Sequence, residues 1–425
     1  MAKAVSLRSY LRLVRGNRNF RLLWMAQMVS EIGDWLYAVA VYSLLLDLTG
    51  SASSVATAVV LQVLPQVMVA PMAGVVNDRL SRRSVMIFAD LVRAGIVLSM
   101  LAVTYWGNIW AMYTLLLFET VMWGFFEPGR SAMLPNLMTD QDDVLVANAL
   151  GSTTWSFNLA VGSALGGLLA VAFGRSAVFV INSFSFLVSA WLLTRMRVNE
   201  PHVAASPRLR LRDFMDFTPM IEGFRYIRRD PRLLATLTAK FGLGLMGAHY
   251  VILPMFGERI FPVAADELGP RRAGMLGMSL LMGARGIGAL IGPLIGGYWA
   301  GHAEDRMRRG ILYGFIAVFL GYASLSVAPS LWMAVATVVV AHAGGSVIWV
   351  FSTTMLQFRT EDRFRGRVFS ADFAFLVVAM SVSTHLGGLA VDMGVPVRTV
   401  AFAAGAMALV PAALWAFRAM PLWRE

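Results

Sequence analysis

The sequence predicts an all-α membrane protein: twelve transmembrane helices arranged as two six-helix bundles. Three observations predict it. The chain is 58% hydrophobic and 14% charged, with a mean hydropathy of +0.65, where a soluble domain carries about a quarter charged residues. Apolar runs of about 20 residues, long enough to cross a bilayer, recur along almost the whole chain. A polar stretch over residues 195–232 divides these runs into two equal sets.

Residues 1–21 are basic, with Lys3, Arg8, Arg12, Arg15, Arg18 and Arg21. The run that follows, 22–46, is longer than a signal-peptide core, carries Glu31 and Asp34, and lacks a small-residue cleavage site. It is therefore predicted to be span 1, retained in the mature chain. Spans 2 to 6 are expected at 53–76, 84–105, 108–129, 146–171 and 176–194. In the central segment Phe214, Phe217, Ile221, Phe224 and Ile227 recur at helical spacing, interleaved with Arg225, Arg228 and Arg229. That pattern predicts an amphipathic helix on the membrane surface; residues 6–16 carry a weaker version. Spans 7 to 12 are expected at 233–256, 273–299, 310–327, 331–355, 367–389 and 396–417. The domains are thus 1–194, an N-terminal bundle with its basic segment; 195–232, a linker; and 233–425, a C-terminal bundle.

Most basic residues fall in alternate loops, starting with the N-terminal segment. The intervening loops hold only Arg175, Arg259, Arg271, Arg272 and Arg398. The positive-inside rule then places both termini and the linker in the cytoplasm, in the plasma (inner) membrane of a bacterium. Cysteine is absent, which excludes disulfides, thiolate metal sites and a thiol nucleophile. The net charge of +11 is spread over short loops, unlike the single basic face of a nucleic-acid binder. There is no phosphate-binding Gly-x-x-x-x-Gly-Lys loop, no His-Glu-x-x-His and no Gly-x-Ser-x-Gly. The expectation is a monomeric protein that is not an enzyme, uses neither ATP nor a cofactor, and meets only lipid and a small-molecule substrate.

Glycines mark every third span: Gly74 in span 2, Gly162, Gly166 and Gly167 in span 5, Gly283 to Gly297 in span 8, and Gly387 and Gly388 in span 11. Small residues allow close helix packing in lipid, and this period suggests four three-helix repeats. After span 2 comes Gly74-Val75-Val76-Asn77-Asp78-Arg79-Leu80-Ser81-Arg82-Arg83. With twelve spans and the six-and-six division, this loop resembles the major facilitator superfamily signature Gly-x-Leu-x-Asp-Arg/Lys-x-Gly-Arg-Arg/Lys, with Val76 for the leucine and Ser81 for the second glycine. Asn17-Arg18-Asn19-Phe20-Arg21-Leu22-Leu23-Trp24, Ile32-Gly33-Asp34-Trp35, Asp90-Leu91-Val92-Arg93-Ala94 and Arg365-Gly366-Arg367-Val368 resemble the drug–proton antiporter branch that includes macrolide-efflux and enterobactin-exporter proteins. The resemblance implies a secondary active transporter driven by a proton gradient, exporting small amphiphilic molecules by alternating access. Import, or a siderophore, lysolipid or metabolite as cargo, is the alternative.

The resemblance also implies that spans 1, 4, 7 and 10 line a central cavity. An ionisable group at mid-bilayer costs at least about 2.5–3.5 kcal/mol and usually marks function. Asp34, Glu31 and Glu119 are the proton-coupling candidates. Asp90 and Arg93, one turn apart in span 3, are expected to form a structural ion pair. Trp35, Trp123, Tyr250, Trp349 and Arg285 are substrate-cavity candidates. Gly74, Asp78, Arg79, Arg82, Arg83, Glu127 and Arg130 are expected to form a conformational latch, with Gly74 on a packed face, Asp78 paired to Arg130 and Arg82 to Glu127. Lys240 is expected to snorkel to the interface. His249, His342 and His385 are read as scattered, with no metal-ligand spacing.

Overall fold

A computed structural model describes residues 7–138, 140–200, 203, 217–301, 303–361 and 364–423. No strand occurs among them, and twelve helices are long and apolar enough to cross a membrane. Spans 1 to 6 are Arg18–Thr49, Ala52–Arg79, Arg82–Trp106, Ile109–Leu137, Asp142–Phe173 and Arg175–Thr194. Spans 7 to 12 are Pro231–Ile260, Pro270–Ala300, Glu304–Ser326, Leu331–Arg359, Arg365–Asp392 and Val397–Phe417. Helices satisfy every backbone polar group internally, the condition for crossing hydrocarbon. Their ends follow local chemistry. Asn108 caps span 4 by accepting from the Trp110 and Ala111 amides, and Asp230 caps span 7 with Pro231 at its first position. Gly107, at φ +65°, ends span 3. Span 2 runs through Asn77 and Asp78 to Arg79, beyond the end its hydropathy suggested.

Contacts group the chain into two compact units: Met1–Ala40 with Met68–Asp216, and Val41–Val67 with Phe217–Glu425. In the first unit the helix Leu7–Gly16 is docked rather than merely surface-bound. Leu13 is buried among Leu23, Met133, Leu134 and Val146, and Arg12 pairs with Asp143 at 3.0 Å. Span 5 presses on span 1 through Gly162 and Gly166, where a Cβ would fall 2.7 Å from Trp35 Cβ and 2.5 Å from Leu36 O. The expected packed face at Gly74 is not found: a Cβ there would meet nothing within 4 Å. The close approach of spans 2 and 4 is made from the other side, by Gly124 against Val69 and Gly129 against Asn77.

In the second unit span 7 is broken. The helix Pro231–Gly244 gives way to turns over 245–248, and a new helix starts at His249. Gly244 and Gly247 lie so close to span 11 that a Cβ would come within 2.6 Å of Leu376 O and 2.4 Å of Met380 O. The freed backbone groups are satisfied from span 11. Ser383 Oγ donates to Leu245 O (2.5 Å), Thr384 Oγ1 donates to Gly247 O (2.8 Å), and the Ala248 amide donates to Ser383 Oγ (3.2 Å). Hydroxyls of this kind allow a helix to break inside a membrane. Segment Val41–Val67 is held in this unit by Asp392, which accepts from Ser51 Oγ and the Ala52 and Ser53 amides, and by Arg271 on Asp47 at 2.8 Å.

The amphipathic linker helix is Thr218–Ile227; Phe214 lies outside the described residues. It packs on protein, not on lipid alone. Ile227 is buried with Leu233, Leu237, Leu356 and Val368; Phe224 stacks on Phe375 at 5.2 Å; Glu222 pairs with Arg367 at 2.8 Å. Arg225, Arg228 and Arg229 face outward. The apolar stripe finds an aromatic partner face on span 11, which periodicity within the linker alone does not reveal.

Candidate functional site

Spans 1, 3 and 4 bring Asp34, Arg93 and Glu119 to one point inside the first unit. Arg93 Nη2 lies 2.7 Å from Asp34 Oδ2 and 2.7 Å from Glu119 Oε1, and its Nε donates to Glu119 at 2.8 Å. The guanidinium is 1% exposed and stacks over the Phe186 ring at 4.1 Å. The Tyr37 hydroxyl lies 3.4 Å from Glu119 Oε2. Asp90 is fully buried beside them, 3.7 Å from Arg93, and accepts from Ser189 Oγ at 2.5 Å. Asp90 and Arg93 are therefore not a self-contained pair. Both sit on one helix at i and i+3, but the long arginine side chain reaches across to carboxyls on two neighbouring spans. Asp34 Oδ1 and Asp90 Oδ1 are buried with no hydrogen-bond partner, and three carboxyls surround one cation, the Asp34 side chain keeping 22% exposure.

Glu31, one turn from Asp34, points elsewhere. Its carboxylate accepts from Gln27 Nε2 (2.7 Å) and from Asn158 Nδ2 of span 5 (3.1 Å). Two amides hold it, with Asp34 on the arginine side of the same helix.

The loop after span 2 is arranged differently from the expected pairings. Arg130 bonds Glu127, one turn away, and Arg82 bonds Ala132 O (2.8 Å) and Asn77 O (3.2 Å), with Asp78 at 3.6 Å. Arg130 takes Glu127 because i, i+3 spacing on one helix already places the charges together, whereas Arg82, at the start of span 3, ties the ends of spans 2 and 4. Arg83 donates to Leu193 O and Thr194 O, tying the loop to the end of span 6. Ser81, where the family signature has glycine, caps span 3 through Ser84 N and donates to Glu200. Arg79 is half-buried, and Gly74 lies one turn before Asp78 on span 2.

The second unit holds a buried pair that the sequence reading overlooked. Lys240 does not snorkel: it is 3% exposed, bonds Asp372 of span 11, and sits over the Trp349 ring at 4.5 Å. Asp372 was hidden near the start of an otherwise apolar run. Arg285 Nη2 bonds the Tyr250 hydroxyl at 2.8 Å, with its Cζ 4.4 Å from the ring centroid. His249 and His342 are not scattered; their rings are 4.9 Å apart, and Tyr322 bonds His342 Nε2 at 2.9 Å. Trp35 meets Trp155 edge-on at 5.7 Å, and Trp123 is half-buried on span 4. Among the described residues no group of three or more His, Asp or Glu is arranged to hold a metal ion.

The family model described as transmembrane secretion effector matches residues 14–425. An uncharacterized MFS-type transporter, YfiS of Bacillus subtilis (strain 168), is 27% identical over 53% of this chain; the chain spans about half the length of that relative, 53%. Macrolide efflux protein A of Streptococcus pyogenes is 25% identical, over 88% of this chain and 89% of its own. Among solved structures, a POT family transporter in complex with a thioalcohol conjugated peptide superposes with a TM-score of 0.73 at 11% identity, over 96% of this chain and 97% of that one.

Proposed function

The chain belongs to the transmembrane secretion effector family of the major facilitator superfamily, and we propose that it exports small amphiphilic molecules from a bacterial cell, driven by protons entering down their gradient. Efflux is supported by the relative named for macrolide efflux. The cytoplasmic placement of both termini rests on the loop charges. Proton coupling rests on one observation, the convergence of Asp34, Glu119 and Asp90 on the single guanidinium of Arg93. One cation balances one carboxylate, and uncompensated buried charge is costly, so protons complete the balance. A proton arriving on Asp34 or Glu119 removes one of two competing pairings and frees Arg93 to favour the other. Because the three groups ride on three different spans, that choice shifts helices relative to one another. This gives the two-state element that alternating access requires. Glu31 is the entry or relay group, held ready by Gln27 and Asn158. The loop of Asp78, Arg79, Arg82 and Arg83, with Glu127 and Arg130, is the latch that these shifts engage and release.

The test is transport of a lipophilic fluorescent dye by purified protein in liposomes with an imposed pH gradient. Asp34→Asn and Glu119→Gln are expected to lose gradient-driven uptake at least about tenfold while retaining exchange in the absence of a gradient. Gradient-driven transport that survives unchanged in both variants would overturn the coupling site.

A further inference from the structure

The polar cluster of the second unit is not used by the coupling chemistry, and it has an unusual construction. Span 7 breaks at 245–248, and the first residue of the new helix is His249. In transporters, such interruptions place backbone and side-chain polar groups where cargo binds. His249 Nδ1 lies 2.8 Å from the Met246 carbonyl, which also accepts from the His249 amide. A carbonyl only accepts, so Nδ1 carries the proton and Nε2 of the neutral ring is an acceptor. That Nε2 atom is buried and has no hydrogen-bond partner. Against the same Tyr250 ring stands Arg285, permanently charged, 6% exposed, and bonded to the Tyr250 hydroxyl. The His249 and Tyr250 rings are 4.2 Å apart and tilted by 31°. A guanidinium donor set and an orphaned imidazole acceptor therefore both lie beside one phenol. His342, fixed by Tyr322, backs His249 at 4.9 Å and holds its ring plane.

The position is built by close packing, not by chance exposure. Span 8 carries Arg285, and one turn further on Gly288 and Gly292 bring it against span 10, where a Cβ would fall 2.4 Å from Val339 O and 2.3 Å from Ala343 O. That contact sets Arg285 at the level of His342.

We propose that this cluster is the cargo-recognition site, and that it selects molecules bearing an anionic carboxylate together with a nearby N–H or O–H donor, as in amino acids and short peptides. The carboxylate is received by Arg285 and Tyr250, and the donor by His249 Nε2. The assignment rests on the export reading for its direction of transport, but recognition itself needs no gradient.

Equilibrium binding to the purified protein in detergent, without a gradient, tests it with three probes: phenylalanine, phenylalaninamide, which lacks the carboxylate, and 3-phenylpropionate, which lacks the amine. The wild type is expected to bind phenylalanine roughly tenfold or more tightly than either analogue, the factor for one hydrogen bond to a charged group. Arg285→Gln should erase the preference over the amide and leave the preference over 3-phenylpropionate, with Arg285→Lys restoring part of it. His249→Phe should do the reverse. Tyr250→Phe, the mildest change, should weaken the carboxylate preference without altering folding. A wild type that binds none of the three, or binds them equally, overturns the proposal, as do variants that keep both preferences. Loss of dye transport in Asp34→Asn bears only on the coupling reading, because these binding measurements involve no proton gradient.

Discussion

Replacing Arg93 by glutamine separates the charge network from the packing around it. The substitution leaves Asp34, Glu119 and Asp90 facing each other with no guanidinium. Arg93 is 1% exposed and makes two contacts of 2.7 Å to carboxylates on different spans. Removing one partner of a buried ion pair costs about 3–5 kcal/mol. Here two such contacts are broken by one change, which places the expected loss at about 5 kcal/mol, comparable to the lower bound of a domain's whole stability at about 5–15 kcal/mol. If charge is the cause, neutralising the stranded acids should return most of it. The variant Arg93→Gln with Asp34→Asn and Glu119→Gln replaces the carboxylates with amides that can bond one another. Unfolding of the purified protein in detergent, for the wild type, the single variant and the triple variant, measures both steps. An Arg93→Gln protein within about 1 kcal/mol of wild type would refute the argument. So would a triple variant no more stable than the single one, since the loss would then belong to packing against Phe186.

Asp372→Asn leaves Lys240 buried beside Trp349 without its counter-charge, and about 3–5 kcal/mol of stability should be lost. The paired change Lys240→Met with Asp372→Leu should recover most of it in the same unfolding assay, because an apolar pair of similar volume avoids the desolvation cost. Two glycines of the predicted repeat should respond with opposite sign in thermal unfolding. Gly166→Ala drives a Cβ to within 2.5 Å of Leu36 O and should cost about 1–3 kcal/mol. Gly74→Ala meets nothing within 4 Å and should raise stability by about 0.5–1 kcal/mol through reduced backbone freedom.

The fold was legible because a bilayer imposes a length and a polarity on every span, and both can be counted in a sequence. The number and order of the spans came from that constraint, and the close packing of Gly162 and Gly166 from the recurrence of small residues. The compact units do not follow the division after residue 194, because Val41–Val67 packs with the later spans. The site was legible only in part. Asp34 and Glu119 stood out because carboxyls are rare at mid-span, but which cation they meet depends on how spans 1, 3 and 4 turn about their axes. Three helical periods do not fix that. Arg93 was assigned to Asp90 because sequence spacing shows neighbours along one helix and hides those on the next. Lys240 failed for the same reason. Snorkelling is the cheaper fate for a lone lysine, and its partner Asp372 lies 132 positions away. The two histidines, 93 positions apart in sequence, carried no common motif, and only the packing of spans 7 and 10 brings one beside the other.

The break of span 7 explains why the two units hold their buried charges differently. In the first unit three carboxyls share Arg93 across continuous helices, and the proposed coupling turns a change of protonation into a change of partner between rigid rods. In the second unit the buried charge of Lys240 is matched one to one by Asp372, and little is left for a proton to alter. Its flexibility lies instead in the backbone at 245–248, where Ser383 and Thr384 hold carbonyls that a continuous helix would have used itself. A hydroxyl can rotate and release such a carbonyl at the cost of about one hydrogen bond, about 0.5–1.5 kcal/mol. A partner change at Arg93 involves charged groups and larger energies. The proposed proton coupling therefore belongs to the first unit. The second is suited to respond to cargo, whose binding energy is of the size needed to open or close the turn beside His249.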